Sequence, residues 1–135
     1  MFFKEDNRNN DFVKIAALLI HAAKIDENFS EKEEKIINQS LLKLGADEQN
    51  IENITKEGKK LEENANQILD FTKEVKMMNE EKKREIIESL WRIIYSNKEA
   101  DMYETNLMRR LAGLMYIDNK IMGDIKEKIK KENQR

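Results

Sequence analysis

The chain has no cysteine, no proline, four glycines and a single histidine. Without cysteine there is no disulfide, no thiolate metal site and no cysteine nucleophile. With no proline and so few glycines, helices can run with little interruption. Strand signals are nearly absent: there is no long alternating run and no Asn-Gly or Asp-Gly hairpin turn. Long apolar runs are missing too. The longest, Ile15 to Ile20, is far too short to span a bilayer. Residues 1–10 hold no apolar signal core, so a cytoplasmic location is expected. No surplus of one charge exists either. Charged residues are 39% of the chain, yet both signs are mixed and the net charge is −2, which gives no ground for wholesale nucleic-acid binding.

What is present is amphipathic helix. The chain has 135 residues, enough for one domain with a real core. Phe12, Ile15, Ala16, Leu19, Ala22 and Ala23 form one apolar stripe, capped by Asn10 or Asp11. Residues 26–29 break it. Ser30 then starts a second helix, with Glu33 placed to bond back to the cap's N–H. Ile36, Ile37, Leu41 and Leu44 are its stripe, and Gly45 ends it by allowing a left-handed residue. Asp47 can cap a third helix bearing Ile51, Ile54 and Leu61, with Gly58 weakening its middle. Ala65, Ile68, Thr72 and Val75 continue either as a fourth helix after a break near Glu63-Asn64 or as the far half of one kinked helix.

Asn79 caps a fifth helix with Ile86, Ile87, Leu90, Trp91, Ile93 and Ile94. Its second half is apolar almost all round, so it is expected to be the central, most buried helix. Asp101 caps a sixth, with Leu107, Met108, Leu111, Ala112, Leu114 and Met115. Asp118 or Asn119 starts a seventh, with Ile121, Met122, Ile125 and Ile129 and a lysine-rich end. The expectation is an all-α single bundle of about seven helices, over residues 11–131, with flexible ends at 1–10 and 132–135.

The chain also repeats itself. Shifting residues 12–45 by 71 positions matches Ile15 to Ile86, Leu19 to Leu90, Ile36 to Leu107, Ile37 to Met108 and Leu44 to Met115. Ser30 falls on Asp101, Asp26 on Asn97 and Glu33 on Glu104. Two helix–corner–helix hairpins related by a pseudo-twofold are expected, with the third and fourth helices as the connection.

A helix ending in an acidic corner, with a glutamate seven residues on and a second copy later, resembles the TerB family, the tellurite-resistance and stress-response domain. Here the copies run from Ala22 to Glu33, through Ile25-Asp26-Glu27, and from Leu90 to Glu104, through Ser96-Asn97-Lys98, continuing to Leu111-Ala112. The resemblance covers roughly residues 12–130. The family's Asp-Gly is Asp26-Glu27 in one copy and Asn97-Lys98 in the other, so both glycines and one acidic group are missing. The resemblance implies a stress-response role alongside membrane-linked and metal-related partners, carried by a non-catalytic domain that binds a protein. An alternative is a weak divalent-cation module for calcium or magnesium, held by Asp26, Glu33, Asn97 and Glu104. Hard cations want six or more oxygens. Here three carboxylates and one amide are offered, among Lys24, Lys32 and Lys98. No cofactor is therefore expected, and the four residues are read mainly as caps and turn formers.

Other candidates read as structural. Asp26-x-Asn28-x-Ser30 imitates the start of an EF-hand, but the sixth position is Glu31 rather than glycine and the twelfth is Ile37 rather than glutamate. His21 has no second histidine or nucleophile near it in sequence and reads as a hydrogen-bonded structural residue. Arg109-Arg110 reads as a solvated helix face. Met108, Met115 and Met122 read as core, while Met77, Met78 and Met102 are the methionines expected at the surface.

Overall fold

Asn79 starts its helix as its residue type dictates: its side chain accepts from the Lys82 N–H at 2.9 Å. That helix is one of seven α-helices among the residues described by a computed structural model of the chain, which are 2–24, 30–64, 69–96 and 102–133. No strand occurs among them. The helices are α1 (Phe2–Lys24), α2 (Glu31–Lys43), α3 (Ile51–Asn64), α4 (Leu69–Lys76), α5 (Glu80–Tyr95), α6 (Met102–Leu114) and α7 (Asn119–Asn133). Among the described residues, no helix is long and apolar enough to cross a membrane.

α1 begins at Phe2, well before the Asn10 or Asp11 cap read from the sequence. Nothing between the two breaks a helix, because asparagine and aspartate inside one are only mildly unfavourable. Asp47 also departs from its expected role. Its side chain makes no cap bond; its carbonyl accepts from Asn50 N–H at 2.9 Å and opens a 3-10 turn, Glu48–Asn50, ahead of α3. A 3-10 turn satisfies early N–H groups with i→i+3 bonds, so no side-chain acceptor is needed. The stretch after it is two helices. α3 ends at Asn64, where the break was expected, and α4 follows from Leu69, with residues 65–68 outside the described ones.

The repeat extends further than the sequence suggested. α2 and α6 coincide at both ends under the 71-residue shift, from Glu31 to Met102 and from Lys43 to Leu114. The same shift carries the start of the 3-10 turn, Glu48, onto the start of α7, Asn119. α3 therefore has its counterpart in α7, and buried Ile51 and Ile54 correspond to buried Met122 and Ile125. The connection is α4 alone, not α3 and α4 together. Packing follows the same rule, since α1 lies along α3 and α5 along α7.

Even the helix ends agree. After α2, Ala46 N–H donates to Leu41 O at 3.0 Å and Gly45 N–H to Leu42 O at 3.1 Å. After α6, Ile117 N–H donates to Ala112 O at 2.9 Å and Tyr116 N–H to Gly113 O at 3.4 Å. Both are Schellman motifs, which require a left-handed residue. Gly45 supplies it at φ 111, as its type allows, and Tyr116 supplies it at φ 55.

The core is shared between two helices rather than centred on α5. Ile15 to Ile20 are fully buried, and α1 packs on α2, α3, α4 and α5. α5 buries Ile86, Ile87, Leu90, Trp91, Ile93 and Ile94 against α1, α2, α4 and α7. The α1 stripe read from spacing understated this, because Ala17, Leu18 and Ile20 fill the rest of its circumference.

Candidate functional site: the two helix corners

Ser30 is extended (φ −88, ψ 164), the usual backbone of a cap. Its Oγ accepts from Glu33 N–H at 3.2 Å, and Glu33 Oε1 accepts from Ser30 N–H at 2.9 Å and from its hydroxyl at 3.0 Å. This is the capping box expected from the sequence. Glu31, Glu33 and Glu34 all stand in the first turn, where the helix dipole favours negative charge. Glu33 is nonetheless 1% exposed. A buried carboxylate costs stability unless hydrogen-bonded, and the two Ser30 donors help meet that demand.

Glu104 occupies the matching place in the first turn of α6 and is 4% exposed. It acts on Tyr95 at the end of α5. Burial first, then the charges of Glu127 and Glu104, push the Tyr95 hydroxyl above its ordinary pKa. The other two candidate residues, Asp26 and Asn97, lie outside the described residues, as does the cap residue Asp101.

The start of α2 lies against the end of α5. Lys32 Nζ, in the first turn of α2, donates to the carbonyl of Ser96 at 3.3 Å. Ser96 is the C-cap of α5, and a lysine there offsets the negative end of that helix. Among the described residues, no group of three or more histidines, aspartates and glutamates converges as a metal site would need. A groove of about 520 Å³ between α2 and α3 has Leu42 and Thr55 on its walls and includes neither Glu33 nor Glu104.

Most of the remaining candidates fall where their types suggest. His21 Nδ1 lies 3.4 Å from Glu62, which also accepts from Lys24 at 2.8 Å, so the pair ties the end of α1 to α3. Arg109 and Arg110 are exposed. Met108, Met115 and Met122 are buried and Met77 is 83% exposed, whereas Met78, expected at the surface, is half-buried against the core, and the side chain of Met102 lies outside the described ones.

Two features escaped the sequence reading. The first is Tyr116, 68% exposed, with Lys76 Nζ 4.4 Å from its ring centroid. A hydrogen bond from Lys76, and then its charge, hold the Tyr116 hydroxyl below its ordinary pKa. The signal that could have found it is its place opposite Gly45 in the repeat. The second is a carboxylate cluster joining α1 to α4. Lys14 Nζ donates to Glu74 Oε1 at 2.8 Å, across sixty residues of sequence. The Lys14 bond keeps the Glu74 pKa below its ordinary value. Burial, then the Glu74 charge, raises that of Asp11.

This cluster makes stability depend on pH in a definite direction. Glu74 contributes above its ordinary value of 4.5, and its contribution is lost as pH falls through the lower folded value. Asp11 has the opposite sign: its contribution is present below its ordinary value and lost as pH rises through the raised one. In melting curves at successive pH, the advantage of wild type over Glu74→Gln should be full at neutral pH and shrink in acid. An advantage that grew in acid would contradict the geometry. Asp11→Asn should raise stability at neutral pH relative to acid, because it removes a contribution that is lost as pH rises.

The model of the family described as tellurite resistance protein TerB matches residues 12–127 of the chain. No curated protein and no solved structure matches it.

Proposed function

The chain belongs to the TerB family, on the match over residues 12–127, and from that premise we propose that it is a non-catalytic stress-response module that binds a protein partner. One observation carries this reading. Met77 and Tyr116, 83% and 68% exposed, flank Lys76 at the ends of α4 and α6, in a chain that otherwise exposes only Leu42 among its described large apolar side chains. Exposed methionine and tyrosine are the side chains interfaces use as adaptable and rigid anchors. Glu33 fits the same reading, because its carboxylate serves the start of α2.

A second reading is favoured by the Lys32–Ser96 bond, which joins the start of α2 to the end of α5. In it, Asp26, Glu33, Asn97 and Glu104 hold a divalent cation such as calcium or magnesium. Lys32 at the start of α2 and the capping role of Glu33 oppose it.

Two measurements separate the readings. Isothermal titration of wild type and Asp26→Ala with Ca²⁺, Mg²⁺ and Zn²⁺ should show no stoichiometric micromolar binding. Tight binding abolished by Asp26→Ala would promote the cation module. A photo-crosslinking amino acid in place of Met77 should give a discrete adduct in cells, and the same group in place of Lys35 on α2 should not. No adduct from Met77 would overturn the interaction reading.

A further inference from the structure

α4 and α6 present exposed cations that make no salt bridge among the described residues. Lys73 stands on the exposed side of α4, and Arg109 and Arg110 on the exposed side of α6. None of the three makes a salt bridge there, although the charge of Lys73 helps to lower the pKa of its neighbour Glu74. Of the two acidic residues of α4, Glu74 is bound to Lys14 of α1, and the side chain of Asp70 lies outside the described ones. Lys76 reaches Tyr116 instead. Lys73, Lys76, Arg109 and Arg110 thus give this part of the surface an excess of positive charge, offset in part by exposed Asp118 beside Tyr116, on a chain whose net charge is −2.

Its centre is unusual. Tyr116 adopts a left-handed backbone where the equivalent position of the first repeat is Gly45. That conformation is unfavourable for a tyrosine, and the ring it places at the surface is mostly exposed. Gly113, one turn earlier on α6, has open space above it, so a partner can approach the backbone closely beside the ring.

This inference rests on the interaction reading above and adds the partner's chemistry. We infer that the α4–α6 face, with Lys73, Lys76, Arg109 and Arg110 around Met77 and Tyr116, docks an acidic segment of a protein partner. Charge complementarity sets the class: an excess of outward cations attracts carboxylates, steering encounter and fixing register. Met77 and Tyr116 supply the apolar contact such a segment needs to be held. A lipid surface fits less well, because interfacial binding takes a broad apolar face and, among the described residues, two large apolar side chains stand out here.

Fluorescence anisotropy tests this with a fluorescein-labelled peptide of glutamates interrupted by one phenylalanine and one leucine. Wild type should bind it saturably, and binding should weaken as salt is raised. The double variant Lys73→Glu/Arg109→Glu should bind at least about tenfold more weakly, and Lys35→Glu should bind as wild type does. Tyr116→Gly separates docking from folding: glycine relieves the backbone, so this variant should melt higher than wild type while binding the peptide more weakly. Absence of saturable binding, or equal loss in Lys35→Glu, would overturn the inference. So would binding to phosphatidylserine vesicles without binding to the peptide, which would assign the face to lipid. A Met77 adduct in cells without peptide binding would overturn the acidic segment and leave the interaction module standing.

Discussion

Trp91→Ala should lower stability by about 3–5 kcal/mol, as truncation of a buried tryptophan does. Trp91 is 2% exposed. Its ring stacks on Tyr95 with centroids 5.9 Å apart and an interplanar angle of 29°, and Lys126 of α7 places its Nζ 5.5 Å from the ring centroid. Removing the ring opens a cavity along α5 that rigid neighbours cannot fill, and the loss of both transfer energy and packing sets the size of the effect. Trp91→Phe should cost much less. The indole Nε1 is buried without a hydrogen-bond partner among the described residues, so phenylalanine keeps most of the packing and removes an unsatisfied donor. Denaturant titration of the three proteins checks both points. An Ala variant within about 1 kcal/mol of wild type would contradict the cavity argument.

Gly58→Ala should destabilise the protein, although alanine is the better helix former. A Cβ at position 58 would lie 2.8 Å from Ala16 Cβ and 3.3 Å from the backbone N of Ala17. Neither atom can move by a side-chain rotation, so α3 and α1 must separate along their interface. Overpacking of this kind costs about 1–3 kcal/mol. The gain in helix propensity is at most about 1 kcal/mol, so steric repulsion decides the sign. Gly123→Ala on α7 is the control: nothing lies within 4 Å of its added Cβ. It should gain up to about 1 kcal/mol from propensity alone. Thermal melts that moved both variants in one direction would remove the close approach of α1 and α3 from the account.

Much of this could be read in advance because the interactions concerned are short in sequence. Ser30 with Glu33, Asn79 with Lys82 and Gly45 with Leu42 each join residues three apart, so residue type and spacing were sufficient. Burial of Met108, Met115 and Met122 followed from helical period in the same way. Gly58 shows the limit. Spacing identified a weak point in a helix, whereas its neighbour Ala16 makes it the point of closest approach between two helices. Asp47 shows another: a cap residue type was present, but the chain opened with a 3-10 turn and left that side chain unused.

By itself, then, the amino-acid sequence determined the helices, most of their starts and ends, the repeat and the family, because periodicity and capping act within a turn or two. Tertiary structure alone decided that α3 pairs with α7 in the repeat, that Lys32 of one corner meets Ser96 beside the other, and that Lys14 and Glu74 join across sixty residues. It also decided that Tyr116 lies against Lys76 at the surface. Those outcomes depend on how helices lie against one another, and that is settled by which side chains interlock when the whole core closes.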